Sequence, residues 1–276
     1  MTELVFVKLG GSVITDKRQP STPCPAVIRR LAQEIKAARQ ARPNLQILLG
    51  HGSGSFGHMV GAQYRLRQGL ADDGDWWGYA ATGVAAAQLN RIVADAFIEA
   101  GMPVVAIQPS ASARCRDGEL VSMATWPVAE ALRRGLVPLI YGDVAFDEVQ
   151  GCTIISTEAE FTWLARQLRP QRMVMVGQVD GVFDRDPLQH PDTQHIDAKR
   201  IDKISPATFD QIAGQLGGSH GIDVTGGMLS KVRQMIDLVR QGLTGRVHLI
   251  SGLNDGALER VLLDPDAVEG TVIEAN

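Results

Sequence analysis

Cysteine, net positive charge and long apolar segments are all scarce in this chain of 276 residues. The three cysteines, Cys24, Cys115 and Cys152, are odd in number and share no metal-binding spacing, which predicts reduced thiols rather than a disulfide framework. A net charge of −4 argues against a nucleic-acid-binding protein that depends on a positive field over its whole surface. No apolar run approaches the roughly 18 residues that span a bilayer, and no signal region opens the chain. We therefore expect a soluble, cytoplasmic protein.

Apolar runs that predict buried strands alternate with helical segments along most of the sequence. The predicted strands are Leu4–Leu9, Gln46–Gly50, Val104–Ile107, Val137–Tyr141, Met173–Val176 and Val247–Ser251. The predicted helices are Pro25–Arg42, Gly78–Ala100 and Leu229–Gln241. Continuous rather than alternating apolar strands are typical of a parallel sheet that is buried on both faces. The sequence thus predicts an α/β fold, a three-layer α/β/α sandwich with a mainly parallel central sheet.

One stretch near the middle of the chain breaks this alternation. Val144–Ile155 carries turn residues at its centre and predicts a β-hairpin. Thr157 and Glu160 have the spacing of a capping box, which predicts a helix N-terminus there. We see no linker, so we expect one domain over residues 1–276, with halves of about 1–156 and 157–276 that share one sheet.

Two glycine-rich turns each follow a predicted strand. The first is Lys8-Leu9-Gly10-Gly11-Ser12, and the second is His51-Gly52-Ser53-Gly54-Ser55-Phe56-Gly57-His58. Glycine lets a backbone approach a ligand closely and direct its N–H groups toward an anion. Two such turns, with a lysine in one and histidines in the other, indicate a site that holds two phosphate groups. The chemistry that this pattern favours is phosphoryl transfer.

A third glycine pair lies far downstream, in Asp223-Val224-Thr225-Gly226-Gly227-Met228, and Lys231 follows it in the first turn of a predicted helix. A lysine near a helix N-terminus opposes the helix dipole unless an anion lies close by. Lys231 is therefore either an ordinary surface residue or a phosphate ligand, and the other two turns favour the second interpretation.

These motifs together resemble the amino acid kinase superfamily and, within it, the isopentenyl phosphate kinases. The second resemblance depends on Gly54-Ser55-Phe56-Gly57-His58, Asp16-Lys17, Gln108-Pro109-Ser110, Tyr141-Gly142-Asp143-Val144 and Val179-Asp180-Gly181-Val182-Phe183. It spans nearly the whole chain in the expected order, and the turn that ends at His58 is its most discriminating part.

The resemblance implies ATP-dependent phosphorylation of isopentenyl phosphate, with Mg²⁺ held mainly by the nucleotide phosphates and no metal cage made by the protein. It also implies a homodimer, with the acceptor phosphate on the N-terminal half and the nucleotide on the C-terminal half. The catalytic residues that it implies are Lys8, Lys17, His58, Lys231 and Glu158. The implied ATP contacts are Lys8, Gly10, Gly11, Ser12, Gly54, Asp180, Gly181, Phe183, Gly226, Gly227 and Lys231, and the implied acceptor contacts are Ser53, Gly54, His58 and Thr157.

Several of these roles have a competing structural interpretation. His58 fits a turn-capping residue as well as a hydrogen-bond donor to the acceptor phosphate, and Asp180 and Phe183 fit an ordinary turn after a strand. We expect His51, at a strand end, to be structural. Met59, Val60, Tyr64 and the segment Trp76–Thr82 are candidates for a pocket that holds the apolar tail of the acceptor, although paired tryptophans are more often core or interface.

Two departures from the family pattern concern the acceptor. Ser156-Thr157-Glu158 replaces the usual Ser-Gly-Asp, so Thr157 adds a side chain beside the acceptor while Glu158 keeps the charge that braces the lysines. Ser53 replaces the more usual glycine, with little effect expected because its backbone N–H is retained. A kinase for another small phosphate or phosphonate, such as a fosfomycin-type antibiotic, and a non-catalytic ligand-binding member of the fold both stay open as alternatives.

Overall fold

Helices and strands alternate along most of the chain in this computed structural model, which describes residues 2–70, 76–184, 198–209 and 228–275. The α-helices of these residues are α1 (Gly11–Ile14), α2 (Pro25–Ala41), α3 (Gly54–Gln63), α4 (Trp77–Glu99), α5 (Trp126–Arg133), α6 (Thr157–Leu168), α7 (Met228–Arg240) and α8 (Ala257–Leu263). The strands are β1 (Glu3–Leu9), β2 (Leu45–His51), β3 (Val104–Ala106), β4 (Arg114–Arg116), β5 (Glu119–Ser122), β6 (Val137–Tyr141), β7 (Asp143–Asp147), β8 (Gly151–Ile155), β9 (Arg172–Gly177), β10 (Val182–Phe183), β11 (Arg200–Ile201), β12 (Lys203–Ile204), β13 (Arg246–Ser251) and β14 (Thr271–Glu274). All six predicted strands and all three predicted helices are confirmed to within a residue or two.

The central sheet has eight strands in the order β12-β14-β13-β9-β1-β2-β6-β3. Its pairs are parallel except for β13 with β14. The central strand, β1, lies between β2 and β9, and Val5, Phe6 and Val7 are completely buried in it. A strand covered on both faces has no position where a polar side chain would reach water, which explains the continuous apolar runs in the sequence.

Helices cover both faces of this sheet, which confirms the three-layer α/β/α architecture. Val5 and Val7 of β1 enter one hydrophobic cluster with residues of α2, α4 and α8. Phe6, on the opposite face of the strand, enters a second cluster with residues of α5, α6 and α7. Successive side chains of a strand point to opposite faces, so β1 contributes to both cores.

The predicted hairpin is confirmed as β7 and β8, which pair antiparallel within a separate four-stranded sheet, β5-β4-β7-β8. The predicted capping box is wrong by one residue. The N-cap of α6 is Ser156, which has extended backbone angles and whose hydroxyl accepts a hydrogen bond from the N–H of Ala159 at 3.2 Å. Thr157 and Glu160 are both buried inside the fold instead of serving the helix end.

Candidate active site

The two N-terminal glycine turns lie side by side at the carboxyl ends of adjacent parallel strands. Lys8 of β1 pairs in register with Gly50 of β2, and Leu9 pairs with His51, so both strands end at the same level. Ligands of open α/β sheets bind at this edge, where loops leave the strands and helices begin. The third glycine turn, including Gly226 and Gly227, lies outside the described residues; the helix that follows it, α7, is described from Met228.

Glycine is required in these turns because their backbones pack against each other. A Cβ atom on Gly11 would lie 2.5 Å from the backbone nitrogen of Gly54. Gly54 has a φ of +51°, and a Cβ there would lie 2.4 Å from the Thr15 hydroxyl oxygen. That hydroxyl donates to the Gly11 carbonyl at 2.6 Å and accepts from the Ser55 N–H at 3.0 Å, which joins the two turns. Thr15 carried no signal in the sequence for this role.

The backbone N–H groups of the two turns differ in whether they already donate a hydrogen bond within the protein. The N–H of Gly10 donates to the Val176 carbonyl at 2.8 Å, so this N–H is not available for the ATP contact expected of Gly10. Within the part of the chain that the structure describes, no group accepts the N–H of Gly11, Ser12, Ser53 or Gly54. These four amides, at the starts of α1 and α3, are the ones that a phosphate would have to use.

Lys8 and Glu158 form a largely buried ion pair across the site. Lys8 lies on β1 and Glu158 in the first turn of α6, and each side chain is only 12% exposed. Burial alone would raise the pKa of Glu158, but the neighbouring Lys8, followed by smaller effects of its own backbone N–H and of Lys231, holds that pKa below its ordinary value. Glu158 therefore carries a negative charge beside the Lys8 amine, and its role in bracing the lysines stays a prediction.

The predicted catalytic residues lie within electrostatic range of one another. Loss of hydration and then the charges of Lys8 and Lys17 lower the pKa of Lys231, while Glu158 opposes the shift. Asp16 pairs with Arg18 at 2.9 Å, and no described carboxylate pairs with Lys17. The three lysines that influence one another come from three separate segments: β1, the loop after α1, and α7.

His58 borders the same region, in the first half of α3. Partial burial and then the positive charges of Arg67, Lys17 and Lys8 lower its pKa, and Glu158 opposes them. Arg67 was not predicted from the sequence; it lies in a single turn of 3₁₀ helix, Leu66–Gln68, with no motif around it. His58 Nδ1 lies 2.9 Å from the hydroxyl oxygen of Ser53. The Ser53 side chain, and not only its backbone N–H, therefore contacts a predicted site residue.

Two residues near the turns serve the scaffold. His51 is completely buried, hydrogen-bonded to Asn90 and stacked on Tyr141, and burial lowers its pKa to about 4, in keeping with the structural role expected of it. Thr157 is 1% exposed, and its hydroxyl donates to the His51 carbonyl at 2.7 Å. The Thr157 side chain is thus directed into the strand ends, which leaves its backbone N–H for any acceptor contact.

The loop after β9 is held by its own side chains. The Asp180 carboxylate accepts from Arg200 at 2.7 Å and from the Ser251 N–H at 3.3 Å. Gly181 has a φ of +98°, and a Cβ there would lie 2.5 Å from the Thr271 hydroxyl oxygen. Phe183 is partly exposed at the end of β10. Asp180 and Gly181 therefore determine the conformation of this loop, whereas part of the Phe183 side chain is exposed to solvent.

A small aromatic cluster lies at the C-terminal end of α3, the helix that follows the second glycine turn. Tyr64, Trp76 and Tyr79 pack with Val144 and Ile154 of the hairpin, and Tyr79 stacks on Phe146 with ring centroids 4.8 Å apart. Tyr64 and Trp76 were both predicted as candidates for the wall of an apolar pocket. In contrast, Trp77 is 70% exposed and Met59 is 42% exposed.

The described residues contain no cluster of histidine, cysteine or acidic side chains arranged to hold a metal ion. Across the same residues, no helix is both long and apolar enough to cross a membrane.

This fold and this site define a family of phosphotransferases. The sequence model of the amino acid kinase family matches residues 3–250, and the chain belongs to that family. Its relatives are more specific. The isopentenyl phosphate kinase of Methanothermobacter thermautotrophicus is 33% identical and that of Methanocaldococcus jannaschii 32%, each over 98% of this chain and 98% of its own length. An X-ray structure of an isopentenyl phosphate kinase superposes with a TM-score of 0.81 at 30% identity, covering 98% of this chain and 100% of that one. The resemblance stated from the motifs is confirmed.

Proposed function

We propose that this protein transfers the γ-phosphoryl group of ATP to isopentenyl phosphate, which yields isopentenyl diphosphate and ADP. The observation that carries the proposal is the Lys8–Glu158 ion pair beside the two glycine turns at the ends of β1 and β2, with Lys17, Lys231 and His58 within electrostatic range of it. Full-length relatives that are isopentenyl phosphate kinases support the same activity.

The cations solve the main difficulty of this reaction. The acceptor is itself a phosphate and is anionic near neutral pH, so no strong general base is needed. Two anions must instead be brought into line while the bond from the γ-phosphorus to the bridging oxygen of ADP breaks and the bond to the acceptor oxygen forms. Fixed positive charge and positioning lower the barrier for such a transfer.

Each cation has a separate task in this account. Lys8, fixed by Glu158, and Lys231 hold the nucleotide phosphates and the transferring group from two sides. Lys17, which no described carboxylate neutralises, balances the charge that develops in the transition state. His58 donates to the acceptor phosphate, and the free amides of Ser53 and Gly54 join it. Mg²⁺ supplies further positive charge on the nucleotide phosphates.

The finer assignments belong to the same proposal. The N-terminal half, about 1–156, takes the acceptor and the C-terminal half, about 157–276, takes the nucleotide, with Phe183 on the nucleotide side. The chain forms a homodimer and works in the cytoplasm. The cluster of Tyr64, Trp76 and Tyr79 borders the apolar tail of the acceptor.

Release of ADP from Mg-ATP tests the proposal across a panel of acceptors: isopentenyl phosphate, dimethylallyl phosphate, fosfomycin, N-acetylglutamate and no acceptor. We expect turnover on the two isoprenoid phosphates that is at least about 100-fold above the other reactions, a difference of roughly 2.7 kcal/mol in transition-state stabilisation. Turnover on fosfomycin alone would leave the fold assignment intact and overturn the substrate. Nucleotide binding without turnover on any acceptor would favour a ligand-binding protein.

A further inference from the structure

The hydroxyl group of Ser53 is directed to His58 instead of to the helix that it precedes. Ser53 is the N-cap of α3, where a serine ordinarily accepts a hydrogen bond from an N–H of the first turn. Here no such bond forms, and Oγ lies 2.9 Å from Nδ1 of His58. Ser53 is only 7% exposed, and among the described residues His58 is the hydrogen-bond partner of this hydroxyl.

We propose that Ser53 is a positioning residue that fixes the tautomer of His58: its hydroxyl donates to Nδ1, so the ring proton resides on Nε2 and faces the acceptor phosphate. The inference rests on the proposed function, because it takes a phosphate anion as the partner of His58.

The direction of these two hydrogen bonds follows from what each group is able to donate. The surroundings of His58 favour the uncharged ring, since partial burial and the charges of Arg67, Lys17 and Lys8 lower its pKa while Glu158 alone opposes them. An uncharged imidazole has one N–H. If that proton were on Nδ1, the lone pair of Nε2 would face an anion and repel it. A serine hydroxyl donates as readily as it accepts, so Ser53 supplies the proton to Nδ1 and leaves Nε2–H for the phosphate.

Kinetics of Ser53→Ala and Ser53→Gly test the role, because both variants keep the backbone N–H and remove the hydroxyl. We expect the KM for isopentenyl phosphate to rise by about 3- to 10-fold, the usual effect of one lost hydrogen bond, with the KM for ATP unchanged. In a His58→Ala background the same substitutions should have no further effect, since the hydroxyl acts only through the ring. An unchanged KM, or an equal effect with and without His58, would overturn the proposal.

The tautomer itself is visible in ¹H–¹⁵N correlation spectra of the imidazole nitrogens. We expect the Nε2–H form in the unmodified protein and a shift toward a mixture of tautomers in Ser53→Ala. Ser55→Ala is the matched control, because its hydroxyl lies in the same turn but accepts from the Thr22 N–H. An Nδ1–H form in the unmodified protein would overturn the proposal. This readout needs no turnover, so it decides the role of Ser53 even if the acceptor panel overturns the substrate.

Discussion

In the proposed reaction, Glu158 holds Lys8 beside the nucleotide phosphates through the ion pair between the two side chains. Exchanging its carboxylate for an amide in Glu158→Gln keeps the volume and removes the charge that fixes the amine. We predict that kcat falls by about 10²-fold, as it does when one well-placed charged group loses its position, whereas the melting temperature falls by only a few degrees. Steady-state kinetics and thermal unfolding measure the two effects.

The control is Glu130→Gln, which removes an ion-paired glutamate on α5 that lies away from the site. We expect its kcat to stay at the level of the unmodified protein. A Glu158→Gln protein that melts far earlier but retains normal specific activity would contradict the bracing role.

Glu160 is completely buried behind this pair, and neither of its carboxyl oxygens has a hydrogen-bond partner among the described residues. Burial, followed by the charges of Asp143 and Glu158, raises its pKa well above the ordinary value, and Lys8 only partly offsets them. As the pH rises past the ordinary value, the unfolded chain loses this proton while the folded protein keeps it. Stability therefore falls with rising pH, by about 1.4 kcal/mol per pH unit, until the pH passes the raised pKa.

Glu160→Gln should remove this loss, because its side chain stays neutral in both states. We predict a higher free energy of unfolding than that of the unmodified protein at pH 7 to 8, and no gain near pH 4. Urea unfolding across this pH range measures it, with the exposed Glu99→Gln of α4 as the matched control. The same pH slope in Glu160→Gln as in the unmodified protein would show that Glu160 ionises normally in the fold.

At the scale of elements, the two glycine turns behave as one unit. We predict that Gly54→Ala lowers the free energy of unfolding by at least about 2 kcal/mol. The alanine would have to adopt a left-handed backbone, and its Cβ would clash with Thr15 and with the Gly11 carbonyl. Gly242→Ala is the control: its φ is +63°, but a Cβ there meets nothing within 4 Å, so only the backbone strain of about 1 kcal/mol should appear. Equal losses in the two variants would mean that the turns do not depend on their mutual contact.

The elements themselves were accessible from the sequence because their signals are local. A buried parallel strand needs an unbroken apolar run, as in Val5, Phe6 and Val7, and the end of α4 is marked by Gly101, whose φ is +81°. The cap of α6 was misplaced because Ser156 and Thr157 are both good N-cap residues, and the choice depends on a distant group, the His51 carbonyl that the Thr157 hydroxyl contacts.

At the site too, residues in local motifs were predicted and contacts between distant residues were not. Lysines, histidine and glycines in recurring motifs identified the catalytic candidates. Three hydrogen bonds could not be predicted, because each joins groups that only the fold brings into contact. They are the bridge through the Thr15 hydroxyl, the bond from the Gly10 N–H to the Val176 carbonyl, and the contact of Ser53 with His58.

At the level of the whole molecule, a net charge of −4 would repel anionic ligands. In the proposed function, a few cations at one edge of the sheet provide the local positive charge that binds them. If the two halves divide the ligands as proposed, His58→Ala should affect the acceptor alone. We predict that the KM for isopentenyl phosphate rises by about 10- to 100-fold, the cost of a hydrogen bond to a charged group, and that kcat falls, while the affinity for ATP changes less than about twofold. Calorimetric titration with ATP beside acceptor kinetics separates these effects, and lost ATP affinity would mean that the halves are assigned in reverse.

The transfer itself can be followed by ³¹P NMR of a reaction that contains the protein, Mg-ATP and isopentenyl phosphate. We predict that the single phosphate resonance of isopentenyl phosphate is replaced by two mutually coupled diphosphate resonances, in step with the conversion of ATP to ADP. Formation of orthophosphate from ATP, with the isopentenyl phosphate resonance unchanged, would contradict it.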